Sequence, residues 1–151
     1  MATLKERLRE DLNAARRARD KLRTTLLTTT LAEVRNREIE TRRDATDEDL
    51  LDVLGRAVRK RREAAEQIRA AGGQERAAGI EEAAQREERE AELLGAYLPP
   101  PFGEAEVRVL VRDAIAGGAA DIGAVMRAVM PALKGRFDGR EANRIAREEL
   151  G

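Results

Sequence analysis

The chain has no cysteine, no histidine and no tryptophan, and its only aromatic residues are Tyr97, Phe102 and Phe137. Each absence excludes a class of chemistry. Without cysteine there is no disulfide, no thiolate nucleophile and no thiolate metal site. Without histidine there is no imidazole base, no Ser-His-Asp triad and no His-ligated zinc. Any catalysis would rest on carboxylates, Lys, Arg, hydroxyls or backbone groups. Net charge is also missing, because 29 basic and 29 acidic side chains cancel. No apolar run approaches the roughly 18 residues of a membrane span. The opening MATLKERLRED lacks the apolar stretch of a signal peptide. The expectation is a cytoplasmic protein with no membrane association, and the lack of cysteine agrees with it.

Charge and alanine dominate instead. The 151 residues include 27 Ala, 25 Arg and 38% charged side chains. This length favours one domain or two small ones. Leu, Ile, Val and Phe make up 32 residues, just above the level that signals disorder. The apolar residues are periodic, however, so a folded helical chain is expected. Alanine at many inward positions implies a thin core, because each small side chain buries little area.

Almost everything up to Leu98 reads as helix. Thr3 and Glu6 have capping-box spacing, and Leu4, Leu8, Leu12 and Ala15 follow at helical period. A second helical stretch runs from about Asp20 to Arg43, with Leu22, Leu26, Leu27, Leu31, Val34 and Ile39. Its threonines lower helix propensity. The break near Ala18–Asp20 is weakly marked, so one bent helix is an alternative. Thr46 opens a third helix, whose acidic first turn (Asp47, Glu48, Asp49) complements the helix dipole. Its stripe is Leu50, Leu51, Leu54, Ala57, Val58, Ala65 and Ile68. Gly72-Gly73 is a stop. A fourth helix is expected from about Gln74 to Tyr97, with Ala77, Ile80, Ala84, Ala91, Leu94 and Leu98 on one face. Short connections imply antiparallel neighbours, giving a helical bundle or a long helical hairpin.

Pro99-Pro100-Pro101 is the strongest boundary, because three prolines cannot continue a helix. It divides the chain into an N-terminal helical domain, 1–98, and a C-terminal three-helix domain, 99–151. In the latter, Glu104 to Ala116 presents Val107, Leu110, Val111 and Ile115 inward. Asp121 is a candidate N-cap for Ile122 to Leu133, whose stripe is Ile122, Val125, Met126, Val129, Met130 and Leu133. Asp138 is expected to cap the last helix, with Glu141 completing a capping box. Ala142, Ile145, Ala146 and Leu150 form its inner face. The fold class is therefore all-α.

Charge clusters carry the functional signal. Residues 127 to 147 hold Arg127, Lys134, Arg136, Arg140, Arg144 and Arg147 against two acids. Arg140, Arg144 and Arg147 share one helix face, which suits phosphate contact. The plainer reading is a solvated face ion-paired to Glu141 and Glu148. Lys134-Gly135-Arg136 is not a Walker A motif, which needs a longer Gly-rich loop after a strand. It makes a tight cationic turn beside a helix N-terminus, a place that attracts anions. Alternatively, Gly135 and Gly139 simply supply permissive backbone angles. Met126 and Met130 read as core. Arg56, Arg59, Lys60, Arg61 and Arg62 make the third helix basic. Glu81, Glu82, Glu87, Glu88, Glu90 and Glu92 make the fourth acidic. The two could pair inside the bundle. No catalytic constellation, metal site or cofactor is expected.

The run GAVMRAVMPALKGRFDGREANRIAREEL resembles the C-terminal signature of the GatB/YqeY family. The matching positions are Gly123, Val125, Met126, Met130, Pro131, Lys134, Gly135, Arg136, Asp138, Gly139 and Asn143. The segments LKERLREDLNAARRARDKLR, NREIE and AYLP also resemble the free-standing YqeY-like proteins. The resemblance implies an N-terminal helical domain and a C-terminal three-helix domain. The latter is similar to the tail domain of the B subunit of glutamine-dependent Asp-tRNA/Glu-tRNA amidotransferase, which helps hold tRNA. The family is catalogued with carbon–nitrogen ligases using glutamine as amido donor, but the domains that carry that chemistry have no counterpart here. Phe137 stands where the family commonly has Ala, and Pro100 to Gly103 replace a polar linker and helix cap. The resemblance and the cationic turn together imply a non-catalytic, tRNA-amidotransferase-related accessory protein. It would bind tRNA through Lys134 and Arg136, extended by Arg127, Arg140, Arg144 and Arg147 and shaped by Gly135, Asp138 and Gly139. The alternative is an interaction module that docks an amidotransferase subunit or a synthetase through the basic third and acidic fourth helices.

Overall fold

The computed structural model describes residues 2–72 and 78–151. Its described residues form seven helices and no strand. The chain divides into two compact units, Met1–Leu98 and Pro99–Gly151.

In the first unit the capping chemistry sets the helix limits. Thr3 Oγ1 accepts from the Glu6 N–H at 3.1 Å and the Glu6 carboxylate accepts from the Thr3 N–H at 2.9 Å, starting α1 (Leu4–Arg17). The chain then breaks rather than bends. Arg19 takes a left-handed conformation, φ 57°, and the Asp20 N–H reaches back to the Ala15 carbonyl. Asp20 caps α2 (Lys21–Thr41) by accepting from the Arg23 N–H. Arg42, also left-handed at φ 55°, ends α2 before the expected Arg43. Thr46 and Asp49 cap α3 (Asp47–Ala71) reciprocally. The fourth helix, α4, spans Ala78–Gly95. Its expected beginning at Gln74, with Ala77, lies outside the described residues.

The helices pair antiparallel, as the ion pairs show. Arg61 meets Glu90 and Arg69 meets Glu81, so α3 and α4 run in opposite senses. The core is leucine-rich where α1 and α2 cover this pair: Leu8, Leu27, Leu50, Leu54 and Leu94 are fully buried. Each such side chain contributes about 1.5–3 kcal/mol over leaving it exposed. Val53 joins this core, a position missing from the expected stripe, while Leu51 packs only at its edge. Farther along α3 and α4 the buried residues are Ala65 and Ala84. Small side chains there let the backbones approach, and charge pairs flank them. Thr30 is buried, but its hydroxyl donates to the Leu26 carbonyl at 2.8 Å, so no polar group is orphaned there.

The second unit contains α5 (Glu104–Ala116), α6 (Ile122–Leu133) and α7 (Gly139–Leu150). Val107, Val111, Val125, Val129, Leu133 and Ile145 form its core, with Met126, Met130, Phe102 and Phe137 packed at the margin. Asp121 caps α6, accepting from the Ala124 N–H at 2.8 Å. Among the described residues no helix is long and apolar enough to cross a membrane.

Candidate nucleic-acid interface

The turn from α6 to α7 is built by three local signals. Lys134 leaves the helix with an extended ψ of 122°. Gly135 follows at φ 76°, a region in which a side chain would cost about 1–2 kcal/mol. The N–H groups of Arg136 and Phe137 then both donate to the Leu133 carbonyl, at 2.8 and 3.1 Å. Asp138 closes the turn, its Oδ1 accepting from the N–H groups of Arg140 (2.7 Å) and Glu141 (3.3 Å). The expected capping box is incomplete. Glu141 does not return to the cap; its carboxylate binds Arg144 at 2.9 Å. Gly139 also departs from expectation. It is the first residue of α7, has no positive φ, and a methyl there would meet Met130 Cε at an ordinary 3.8 Å.

Arg136 is committed to holding the linker. Its Nε donates to the Pro100 carbonyl at 3.0 Å, and its guanidinium lies 4.0 Å from the centre of the Phe102 ring. Its own carbonyl accepts from the Phe102 N–H at 2.8 Å. Three contacts thus fasten the proline segment to the turn. Phe137 packs against the core, so it is not a free ring.

Arg144 lies in a closed network between α5 and α7. It binds Glu141, Glu148 at 2.6 Å and Glu104 at 3.5 Å. Arg108 binds Glu148, Glu104 and Glu149, and Arg112 binds Glu149. Hydrogen bonds that Arg144 donates to Glu141 and then Glu148 raise its pKa. Arg108 and Arg144 together lower that of Glu148, Arg108 most. This face of the second unit is neutralised from within. Glu148 was legible at i+4 from Arg144; the α5 partners were not.

The remaining candidates are free. Arg127, Lys134, Arg140 and Arg147 are exposed and make no ion pair or side-chain hydrogen bond among the described residues. Helix geometry brings them to one side. On α7 the carboxylates that meet α5 occupy one flank, and at 100° per residue Arg140 and Arg147 fall on the other, beyond Asn143. On α6 the Met130 flank faces α7, since Met130 touches the Gly139 position. Arg127 and Lys134 lie just outside that flank. Two pairs of cations therefore lie on the outward faces of α6 and α7. Within each pair the Cα atoms stand about 10 Å apart along the helix axis.

Some charges of the first unit face one another, whereas Arg59, Lys60 and Arg62 are exposed and make no ion pair among the described residues. Arg61 pairs with Glu90 at 3.2 Å, and Arg69 with Glu81 at 2.9 Å and with Glu88. Arg37 bridges to Asp52 at 2.7 Å, and Lys5 to Glu38 at 2.7 Å. Tyr97 donates to Asp11, and Arg7 lies over its ring; burial and that carboxylate push the phenol pKa up. Among the described residues no cluster of three or more acidic groups is placed to hold a metal ion.

These features define a class: an all-α protein of two units, the second a three-helix unit with a cationic helix–turn–helix edge. The family model of the Yqey-like proteins matches residues 5–150. The chain belongs to that family. The comparison with curated proteins finds no match.

Proposed function

We propose that the protein is a non-catalytic accessory factor that binds tRNA through the α6–α7 edge of its second unit. The observation that carries this reading is the set of four exposed cations, Arg127, Lys134, Arg140 and Arg147, left without intramolecular partners among the described residues. In the same unit Arg108, Arg112 and Arg144 are spent on carboxylates of the chain itself. Unpaired cations on rigid helices suit phosphate oxygens, which position a nucleic acid without reading its bases. The resemblance of this unit to the tail domain of the amidotransferase B subunit supports tRNA as the ligand. The contact set differs from the simplest reading of the sequence. Lys134 leads it, Arg136 shapes the turn from behind, and Arg144 is occupied. Docking of a protein partner through α3 and α4 is the second reading: Arg61 and Arg69 pair with α4 carboxylates, while Arg59, Lys60 and Arg62 are exposed and make no ion pair among the described residues.

Anisotropy of labelled total tRNA at several salt concentrations tests the proposal. Each phosphate contact adds about 0.7–0.9 to the log–log salt slope. Four contacts give a slope of about 3. The double variant Lys134→Glu/Arg140→Glu should weaken binding and lower the slope while the helical circular dichroism stays unchanged. Unchanged affinity would sink the assignment. Purified protein given glutamine, ATP and Glu-tRNA is expected to form no Gln-tRNA.

A further inference from the structure

We infer that the α6–α7 edge takes the backbone of a double-helical RNA segment and not an unpaired strand. This rests on the RNA-binding reading above and narrows its ligand. Surfaces that hold single strands combine cations with aromatic rings on which bases stack, each stacked base adding about tenfold or more in affinity. The second unit has only two rings. Phe102 carries the Arg136 guanidinium across its face at 4.0 Å, and Phe137 is packed against the core. The remaining ring of the chain, Tyr97, belongs to the first unit and is bonded to Asp11. Arginine planes can also stack on bases; the Arg136 plane is covered, and those of Arg127, Arg140 and Arg147 are exposed. No aromatic stacking platform accompanies the four free cations.

Their placement favours a rigid lattice of phosphates. Arg127 and Lys134 sit on one helix and its C-cap, Arg140 and Arg147 on the next, at separations set by helical rise. A flexible strand must be ordered to match them, and without aromatic stacking less offsets that ordering. A duplex is already ordered. It also carries about twice the phosphate density of a single strand along its axis. The footprint is bounded on the α5 side, where Arg108, Arg112 and Arg144 are outnumbered by Glu104, Glu141, Glu148 and Glu149. With its arginines already paired, that side offers phosphates no free cation and confines contact to one edge.

The test compares three labelled probes with the full chain at one salt concentration: total tRNA, an RNA hairpin of about 16 base pairs, which spans two minor grooves, and poly(U) with the same number of nucleotides. The hairpin should bind about tenfold or more tighter than poly(U). Lys134→Glu/Arg140→Glu should remove most of the hairpin affinity, with the protein's thermal unfolding unchanged. Poly(U) binding as tightly as the hairpin would overturn the inference and leave the tRNA reading standing. Tight tRNA binding without hairpin binding would overturn it too, pointing to loops as the ligand. Binding of none of the three would bring down both.

Discussion

Two glycines and one arginine in the α6–α7 turn behave differently, although all three belong to the same signature. Gly135 stands at φ 76° with open space around its missing side chain, so only its backbone angle requires glycine. Gly135→Ala should therefore cost about 1–2 kcal/mol, read as a lower midpoint in urea. Gly139 is helical and has room for a methyl. Gly139→Ala should be neutral or raise the midpoint, by up to about 1 kcal/mol. Equal losses at both would show that the turn geometry is wrong. Arg136 has a third kind of role. Arg136→Ala removes the bond to the Pro100 carbonyl and uncovers Phe102. The expected result is faster amide exchange or proteolysis around residues 99–103, with tRNA affinity falling less than in Lys134→Glu.

At the scale of elements, caps decided how much the sequence could show. Asp121, Thr46, Asp20 and Thr3 each bond an N–H within three residues. Such signals are local, and α5 and α6 fall within the limits their sequences imply. The Asp138 cap is of the same kind. Asp138→Ala should cost about 1 kcal/mol of stability, with the loss confined to the second unit in residue-resolved exchange. Local signals failed where two partners competed. Glu141 had capping-box spacing from Asp138, but Arg144 lies one turn on, and the carboxylate binds that charge instead. They failed again where the partner is distant in sequence. Nothing near Arg136 announces Pro100, and nothing near Arg144 announces Glu104. The cationic segment was thus legible as a segment. Which of its charges are free was not, because that depends on packing between α5 and α7.

For the whole molecule, the absence of histidine and cysteine becomes a statement about pH. No side chain present has an ordinary pKa between about 5 and 9. Folding stability should be flat across that window, since no side chain binds protons differently in the folded and unfolded chain there. Below it the carboxylates take over. Arg43 and the Thr46 N–H hold Asp49 below its ordinary value, and Lys5 does the same for Glu38. In the second unit Arg108 lowers Glu104, and Arg112 with Arg108 lowers Glu149. A depressed folded pKa contributes stability that is complete above the unfolded value and is lost as pH falls through the folded one. The midpoint temperature should therefore hold steady from about pH 5.5 to 8.5 and decline below about pH 4. These pairs are half-buried to exposed and individually weak, so the decline should be gradual and should shrink in high salt. The same logic reaches binding. Arg, Lys and phosphodiesters keep their charges throughout the neutral window, so tRNA affinity should follow salt and ignore pH there. A titration at constant ionic strength checks this. A change in affinity near pH 6.5 would require a group that the proposed edge does not contain.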